Sequence, residues 1–126
     1  MEWLSLLGRV LFGLYFVYSG IIHFVKYQGL KDYAAFKKIP IAGFAVIITG
    51  LVLLGGGLSI LTGYWIQTGL ILLAIFLLVT AFTVHNYWTL DDENAKAAEQ
   101  SQFLKNITIA SASLLLLQIE TWSWTL

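Results

Sequence analysis

The sequence predicts an all-α, polytopic membrane protein folded as an antiparallel bundle of four transmembrane helices. Of its 126 residues, 59% are hydrophobic and only 11% are charged. The mean hydropathy is +0.81. A small soluble fold has too large a surface-to-volume ratio to hide this much apolar side chain. Composition therefore argues against a cytosolic enzyme, a secreted disulfide scaffold and a disordered chain.

Four apolar segments approach the length of about 20 residues that a helix needs to cross a bilayer. We place them at Trp3–Val25, Ile41–Thr62, Trp65–Tyr87 and Phe103–Trp122, in a single domain over residues 1–126. Backbone groups find no water in the lipid core, so each segment is expected to be helical. Only a few residues around Gly63 separate the second and third segments, which predicts an antiparallel hairpin with this glycine at a helix end.

The two longer connections also carry helical patterns. In Lys26–Ile39, apolar residues at positions 30, 33 and 34 among lysines predict a short helix on the membrane surface. The second connection is acidic and then rich in alanine. Asp91 or Asp92 is expected to cap a helix there. The run Asn94–Gln102 is expected to extend the fourth helix into water by about two turns.

The charges predict an orientation. All lysines lie in or beside the two long connections, while Arg9 lies on the side of the termini. The positive-inside rule then places the long loops in the cytoplasm and both termini outside. Seven cations balance seven anions, so no basic field exists to attract nucleic acid. The chain has no cysteine, which excludes disulfides and thiolate metal sites.

Each span has one face of small or polar residues, and these faces are expected to meet inside the bundle. The second span repeats glycine at positions 43, 50 and 57. Near the termini, Arg9 and Glu120 fall at similar depth. A buried arginine in lipid calls for a counter-charge, so we predict an Arg9–Glu120 ion pair, with Glu2 as the rival partner. The pair could fix the register of the helices, or it could belong to a pocket for an anionic group.

A second polar layer lies toward the loops. Its members are the candidates for a polar pocket: His23, His85, Asn86, Lys105 and Asn106. The two histidines leave several hypotheses open: a haem with two imidazole ligands, a metal site, a proton relay or quinone contact, and purely structural hydrogen bonds. Haem is disfavoured, and two imidazoles are fewer than zinc requires, so no metal site is assigned. No catalytic triad or phosphate loop is present, and no catalytic residue is assigned.

Motifs along the chain resemble those of the DoxX family of small four-span membrane proteins and, more distantly, the SURF4-like proteins. The motifs are Leu7-Gly8-Arg9, Ser19-Gly20 with His23, Gly56-Gly57 with Gly63, His85-Asn86-Tyr87-Trp88, Asp91-Asp92, and Phe103-Leu104-Lys105-Asn106. The family pattern usually has Phe where this chain has Tyr87. Some members carry a carboxylate in the second helix, which this chain lacks.

The resemblance implies a multi-pass protein of the bacterial inner membrane without independent catalytic activity. It implies an accessory subunit of a redox or quinone-linked complex, with quinone as the possible ligand. The alternative is a non-catalytic scaffold or assembly protein; a small-molecule transporter is a weaker third hypothesis, because four spans make a thin pore wall. Expected partners are membrane lipid, other membrane subunits and further copies of the chain. A shared fold does not choose among these roles.

Overall fold

The computed structural model describes residues 2–122, and all regular structure in that range is helical. Five α-helices follow one another: α1 (Glu2–Val25), α2 (Tyr27–Phe36), α3 (Ala42–Thr62), α4 (Ile66–Thr83) and α5 (Glu93–Leu116). A short 3₁₀ helix, Tyr87–Thr89, lies between α4 and α5. The all-helical fold class predicted from the sequence is confirmed.

Helices α1 and α3 pack backbone to backbone through glycine. A Cβ on Gly57 would lie 2.8 Å from the carbonyl oxygen of Gly13, and one on Gly20 would lie 3.0 Å from the carbonyl oxygen of Gly50. Each helix places its two glycines seven residues apart, so both contacts fall on one face. Small residues allow this approach in membrane helices. Of the three glycines predicted to face inward from the second span, Gly50 and Gly57 face α1, whereas Gly43 faces Tyr27 and Lys31 of α2.

Helices α3 and α4 form the predicted hairpin. Gly63 ends α3 with φ 90°, a left-handed conformation that favours glycine, and its N–H donates to the Ser59 carbonyl at 2.9 Å. The buried apolar core is centred on α4. Its members are Phe16, Leu53, Ile60, Ile66, Leu70, Leu73, Leu77 and Ala110.

Both connecting regions contain the helices expected of them. The loop after α1 forms α2, which packs on α3 and touches α1. The Asp92 side chain accepts a hydrogen bond from the Ala95 N–H at 2.8 Å and caps α5, as the acidic pair suggested. Helix α5 then runs without a break from Glu93 to Leu116, so the alanine-rich run does extend it.

Three helical segments are long and apolar enough to cross a membrane: Glu2–Val25, Ala42–Thr62 and Ile66–Thr89, the last including the residues after α4 and the 3₁₀ helix. The chain is therefore a polytopic membrane protein. Helix α5 is not among these segments, because its first half is polar, and a fourth span is not confirmed. The regular α-helices also end earlier than the segments predicted from hydropathy. Helix α4 stops at Thr83 rather than Tyr87, and α5 stops at Leu116 rather than Trp122.

Candidate functional site

A cavity of about 400 Å³ lies at the loop end of the bundle. It is bordered by α1 through α5, and most of its wall is aliphatic or aromatic. The polar side chains in the wall are Tyr15, Ser19, His23, Tyr33, Thr49, Thr80, Thr83, His85, Lys105 and Asn106. Four of the five predicted pocket residues thus border one space. This is the size range of small-molecule sites, about 300–1,000 Å³.

His85 lies just after α4 and is held by a carboxylate. Its Nδ1 is 2.8 Å from Oε2 of Glu99 on α5, and both side chains are about one-fifth exposed. Because the carboxylate accepts, the proton of this contact sits on Nδ1. Nε2 of a neutral His85 is then an acceptor. A protonated His85 carries a proton on both ring nitrogens and would donate from Nε2 instead.

The other oxygen of Glu99 contacts the surface helix. Tyr33 on α2 donates its hydroxyl to Oε1 of Glu99 at 3.2 Å. Burial, together with the negative charge of Glu99 and this hydrogen bond, raises the pKa of Tyr33 to about 12. The phenol therefore remains a donor at neutral pH. Glu99 joins α2, the end of α4 and α5 through one carboxylate.

His23, near the end of α1, is oriented by its own helix. Its Nδ1 lies 2.9 Å from the Ser19 carbonyl oxygen, so Nδ1 carries the proton, and its ring packs edge-on to Phe76 with centroids 6.3 Å apart. Neutral His23 therefore has an acceptor at Nε2, like neutral His85. The two histidines border the same cavity from α1 and from the residue pair that follows α4.

The other three pocket candidates each make hydrogen bonds that connect two parts of the chain. Asn106 is buried and donates from Nδ2 to Thr80 Oγ1 at 2.9 Å and to the Leu77 carbonyl at 3.4 Å, which ties α5 to α4. Lys105 Nζ donates to the Tyr15 hydroxyl at 3.3 Å. Asn86 is outside the cavity wall and accepts from Lys37 Nζ at 2.8 Å, which ties the loop after α4 to the end of α2.

Sequence reasoning missed the carboxylate of this site. Glu99 lies in the polar first half of α5, in a run interpreted as a helix in water. A signal was present, because Glu99, Asn106 and Ser113 are spaced by seven residues and so share the face on which the latter two are buried. Within residues 2–122, no group of three or more His, Cys, Asp or Glu side chains is placed to hold a metal ion.

At the opposite end of the bundle, the two predicted partners border neighbouring cavities. Arg9 is 4% exposed, and its Nε and Nη2 donate to the Ile60 carbonyl at 3.2 and 3.1 Å. Its guanidinium lies 5.5 Å from the ring centroid of Trp122. Glu120 is exposed and borders a separate cavity together with Gln67. Trp122 lines both cavities. The Arg9–Glu120 ion pair stays a prediction.

Comparison with known proteins agrees with the motifs. The DoxX family model matches residues 4–86, about two-thirds of the chain. The chain belongs to the DoxX family. The matched range contains Arg9, His23, His85 and Asn86 of this DoxX protein, whereas Glu99, Lys105 and Asn106 lie beyond it.

Two relatives come from Escherichia coli (strain K12). The DoxX chain is 32% identical to inner membrane protein YqjF over 111 residues, which is 88% of this chain and 79% of YqjF. It is 28% identical to inner membrane protein YphA over 113 residues, which is 90% of this chain and 80% of YphA. No solved structure matches the chain.

Proposed function

We propose that this DoxX protein is an accessory subunit of a redox-linked complex in the bacterial inner membrane, and that its loop-end cavity binds the head group of a quinone. The observation that carries the proposal is His85 in the cavity wall, with Glu99 2.8 Å behind it. Polar groups inside an apolar membrane cavity are functional candidates because they are expensive to keep there.

The His85–Glu99 pair suits both redox forms of such a ligand. A quinone carbonyl needs a donor, which protonated His85 supplies from Nε2 with its charge balanced by Glu99. A hydroquinone hydroxyl needs an acceptor, which Nε2 of neutral His85 supplies. Nε2 of His23 offers a second acceptor in the wall of the same cavity. The aliphatic and aromatic lining would hold the ring, as in most small-molecule sites.

We also propose that α5 crosses the membrane, which completes a bundle of four spans. The apolar half of α5, from Phe103 to Leu116, provides about 20 Å of helix, against about 30 Å of hydrocarbon. Lys105, near the loop-side end of this half, can reach toward the interface with its long side chain. The inner membrane is inferred from the names of the two relatives, and the lysines favour long loops in the cytoplasm and termini outside.

Binding of a quinone head-group analogue to the purified protein in nanodiscs tests the proposal. We expect His85→Ala to weaken binding at least about tenfold, and Glu99→Gln to weaken it less, because Gln keeps the shape but loses the charge. Gln67→Ala is the matched control, since this side chain borders the cavity at the other end of the bundle. Equal affinity in the wild type and His85→Ala would refute the quinone site.

One observation favours the second candidate, a scaffold or assembly protein. Phe36 at the end of α2 is 74% exposed, on a helix outside the three candidate spans. An exposed aromatic side chain of this kind can anchor a partner. Cross-linking with mass spectrometry in native membranes would find a partner at α2, and Phe36→Ser should abolish that cross-link while leaving quinone binding unchanged.

A further inference from the structure

Helix α1 has an open side at the loop-end cavity. It packs on α3 and α2, but in the described chain no Cα of α1 lies within 8 Å of a Cα of α5. The axes of packed helices normally lie 8–10 Å apart, so some Cα atoms on the facing sides of two packed helices lie less than 8 Å from each other. Tyr15 of α1 and Lys105 of α5 border the cavity on this side, and both are exposed. The cavity therefore reaches the outer surface of the bundle between α1 and α5.

Among the hydrogen bonds of the described residues, one joins the two helices at this opening. Lys105 Nζ donates to the Tyr15 hydroxyl at 3.3 Å and lies 6.0 Å from the centre of the Tyr15 ring. Lysine has a long flexible side chain, and a hydrogen bond between membrane helices contributes little net stability on average. This closure can therefore open by rotation of two side chains, without separating packed helices.

The loop end of the cavity is covered by a whole helix that packs on α3, rather than by two side chains. Helix α2 lies over that end and is tied to the other half of the molecule by two hydrogen bonds, from Tyr33 to Glu99 at 3.2 Å and from Lys37 to Asn86 at 2.8 Å. Entry from this direction would require both bonds to break and a helix to move. The easier path into the cavity is lateral, between α1 and α5.

We propose that the gap between α1 and α5 is a lateral doorway through which a quinone with a long isoprenoid tail enters from the lipid, and that Lys105 and Tyr15 form its gate. The head group would occupy the cavity and the tail would leave between the two helices. An isoprenoid tail is insoluble in water, so lateral entry keeps it in an apolar medium throughout. The identity of the head group rests on the proposed function; the doorway adds selection for a membrane-dissolved, tailed ligand.

The chain has no cysteine, which permits a clean cross-linking test. A Tyr15→Cys/Lys105→Cys variant in nanodiscs would be joined by a cleavable bifunctional thiol reagent. Association of a tail-less head-group analogue and of a long-tailed quinone would be measured before joining, after joining and after cleavage. We expect joining to slow the long-tailed quinone at least about tenfold, to leave the analogue's affinity unchanged, and to be reversed by cleavage.

In the matched control, the cross-link is placed between α4 and α5, which already pack against each other. Phe82 of α4 and Phe103 of α5 pack with ring centroids 5.2 Å apart, and neither borders the cavity. A cross-linked Phe82→Cys/Phe103→Cys variant should bind both ligands as it does before joining. Each variant serves as its own reference, so effects of the substitutions themselves cancel.

The outcomes separate the two proposals. If the joined Tyr15→Cys/Lys105→Cys variant takes up the long-tailed quinone at its unjoined rate, the doorway is elsewhere and the inference is overturned. If the wild type binds neither ligand, the proposed function fails and the doorway for a quinone fails with it. If joining slows only the long-tailed quinone, both proposals are supported.

Discussion

Two sides of the same helix, α1, differ in how they meet their neighbours. Toward α3, glycines at positions 13 and 20 face glycines at positions 57 and 50, and the backbones touch. Toward α5, no Cα of α1 lies within 8 Å of a Cα of α5, and the long side chains of Tyr15 and Lys105 span the space. Glycines let α1 and α3 pack closely, whereas α1 and α5 stay apart and are bridged by the side chains of Tyr15 and Lys105.

Helix α1 is held rigidly on its α3 side and leaves access to the cavity on its α5 side. Close glycine packing gains van der Waals contact over a long seam and leaves no void. The open seam forgoes that contact and leaves a cavity beside His23 and His85. Since the α1–α3 seam already fixes the position of α1, the opposite side can remain open without loss of the fold.

The largest effect is expected from adding one methyl group to the closed seam. In Gly57→Ala, the new Cβ would lie 2.8 Å from the Gly13 carbonyl oxygen and the Val17 nitrogen, and these backbone atoms can move only if the helices separate. We expect a loss of about 3 kcal/mol in the free energy of unfolding, the upper part of the range for overpacking. Unfolding in mixed detergent micelles measures it.

Gly55→Ala is the control on the same helix. A Cβ there meets nothing within 4 Å, so the substitution should be neutral or stabilise the helix by up to about 1 kcal/mol. Equal stabilities of the Gly57→Ala and Gly55→Ala proteins would show that backbone contact between α1 and α3 is not what closes this seam.

The next effect concerns Arg9, which joins α1 to α3 beyond the glycines. In Arg9→Met the two hydrogen bonds to the Ile60 carbonyl disappear, with an expected loss of about 1.5–3 kcal/mol in the free energy of unfolding.

A double-mutant cycle of Arg9→Gln with Glu120→Gln tests the predicted ion pair. If the pair forms, Glu120→Gln destabilises the wild type more than it destabilises the Arg9→Gln protein. Strictly additive effects would remove Glu120 as a partner.

Much of the closed seam was predictable from sequence, because glycine spacing and hydropathy are properties of single helices. The segment predicted at Trp3–Val25 is the helix Glu2–Val25, and the segment predicted at Ile41–Thr62 is the helix Ala42–Thr62. The end of α4 was not predictable in this way. Val84, Tyr87 and Trp88 continue the apolar and aromatic pattern after the helix stops, so hydropathy does not register that the N–H groups of Val84 and His85 both donate to the Thr80 carbonyl.

The open side was predicted only in part. The candidates His23, His85, Lys105 and Asn106 do border one cavity, since polar residues on apolar helices turn inward. Glu99 was missed because it lies in a polar run, where charge alone gives no sign of burial. The gap between α1 and α5 depends on the distance between two helices far apart in sequence, which no local pattern encodes.

A smaller effect is expected where α4 and α5 close against each other beside the cavity. Thr80→Val keeps the volume of the side chain but removes the acceptor for Asn106 Nδ2, 2.9 Å away. Hydrogen bonds between membrane helices contribute about 0.6 kcal/mol on average, so a loss of that order in the free energy of unfolding is expected. Thr83→Val is the control, because the Thr83 hydroxyl donates to the Val79 carbonyl of its own helix. A larger loss in Thr83→Val than in Thr80→Val would contradict a role for this seam contact.

The smallest effect lies where α2 covers the loop end of the cavity and depends on pH. Burial and Glu99 raise the pKa of Tyr33 from 10.0 to about 12, so the folded protein holds this proton more tightly than the unfolded chain. The resulting stabilisation is fully present below pH 10 and is lost as the pH rises toward 12. Tyrosinate absorbance, measured as the difference between each protein and its Tyr33→Phe counterpart, isolates this titration.

The Glu99→Gln substitution separates the two causes of the shift. Gln retains an oxygen that can accept the phenol hydrogen bond but carries no charge, so the pKa of Tyr33 should fall below that of the wild type while burial keeps it raised. Glu93→Gln removes a carboxylate from the first turn of the same helix and should leave the titration unchanged. If Glu99→Gln titrates like the wild type, Glu99 does not hold α2 over the cavity through Tyr33, and the loop end would be as free to open as the gap between α1 and α5.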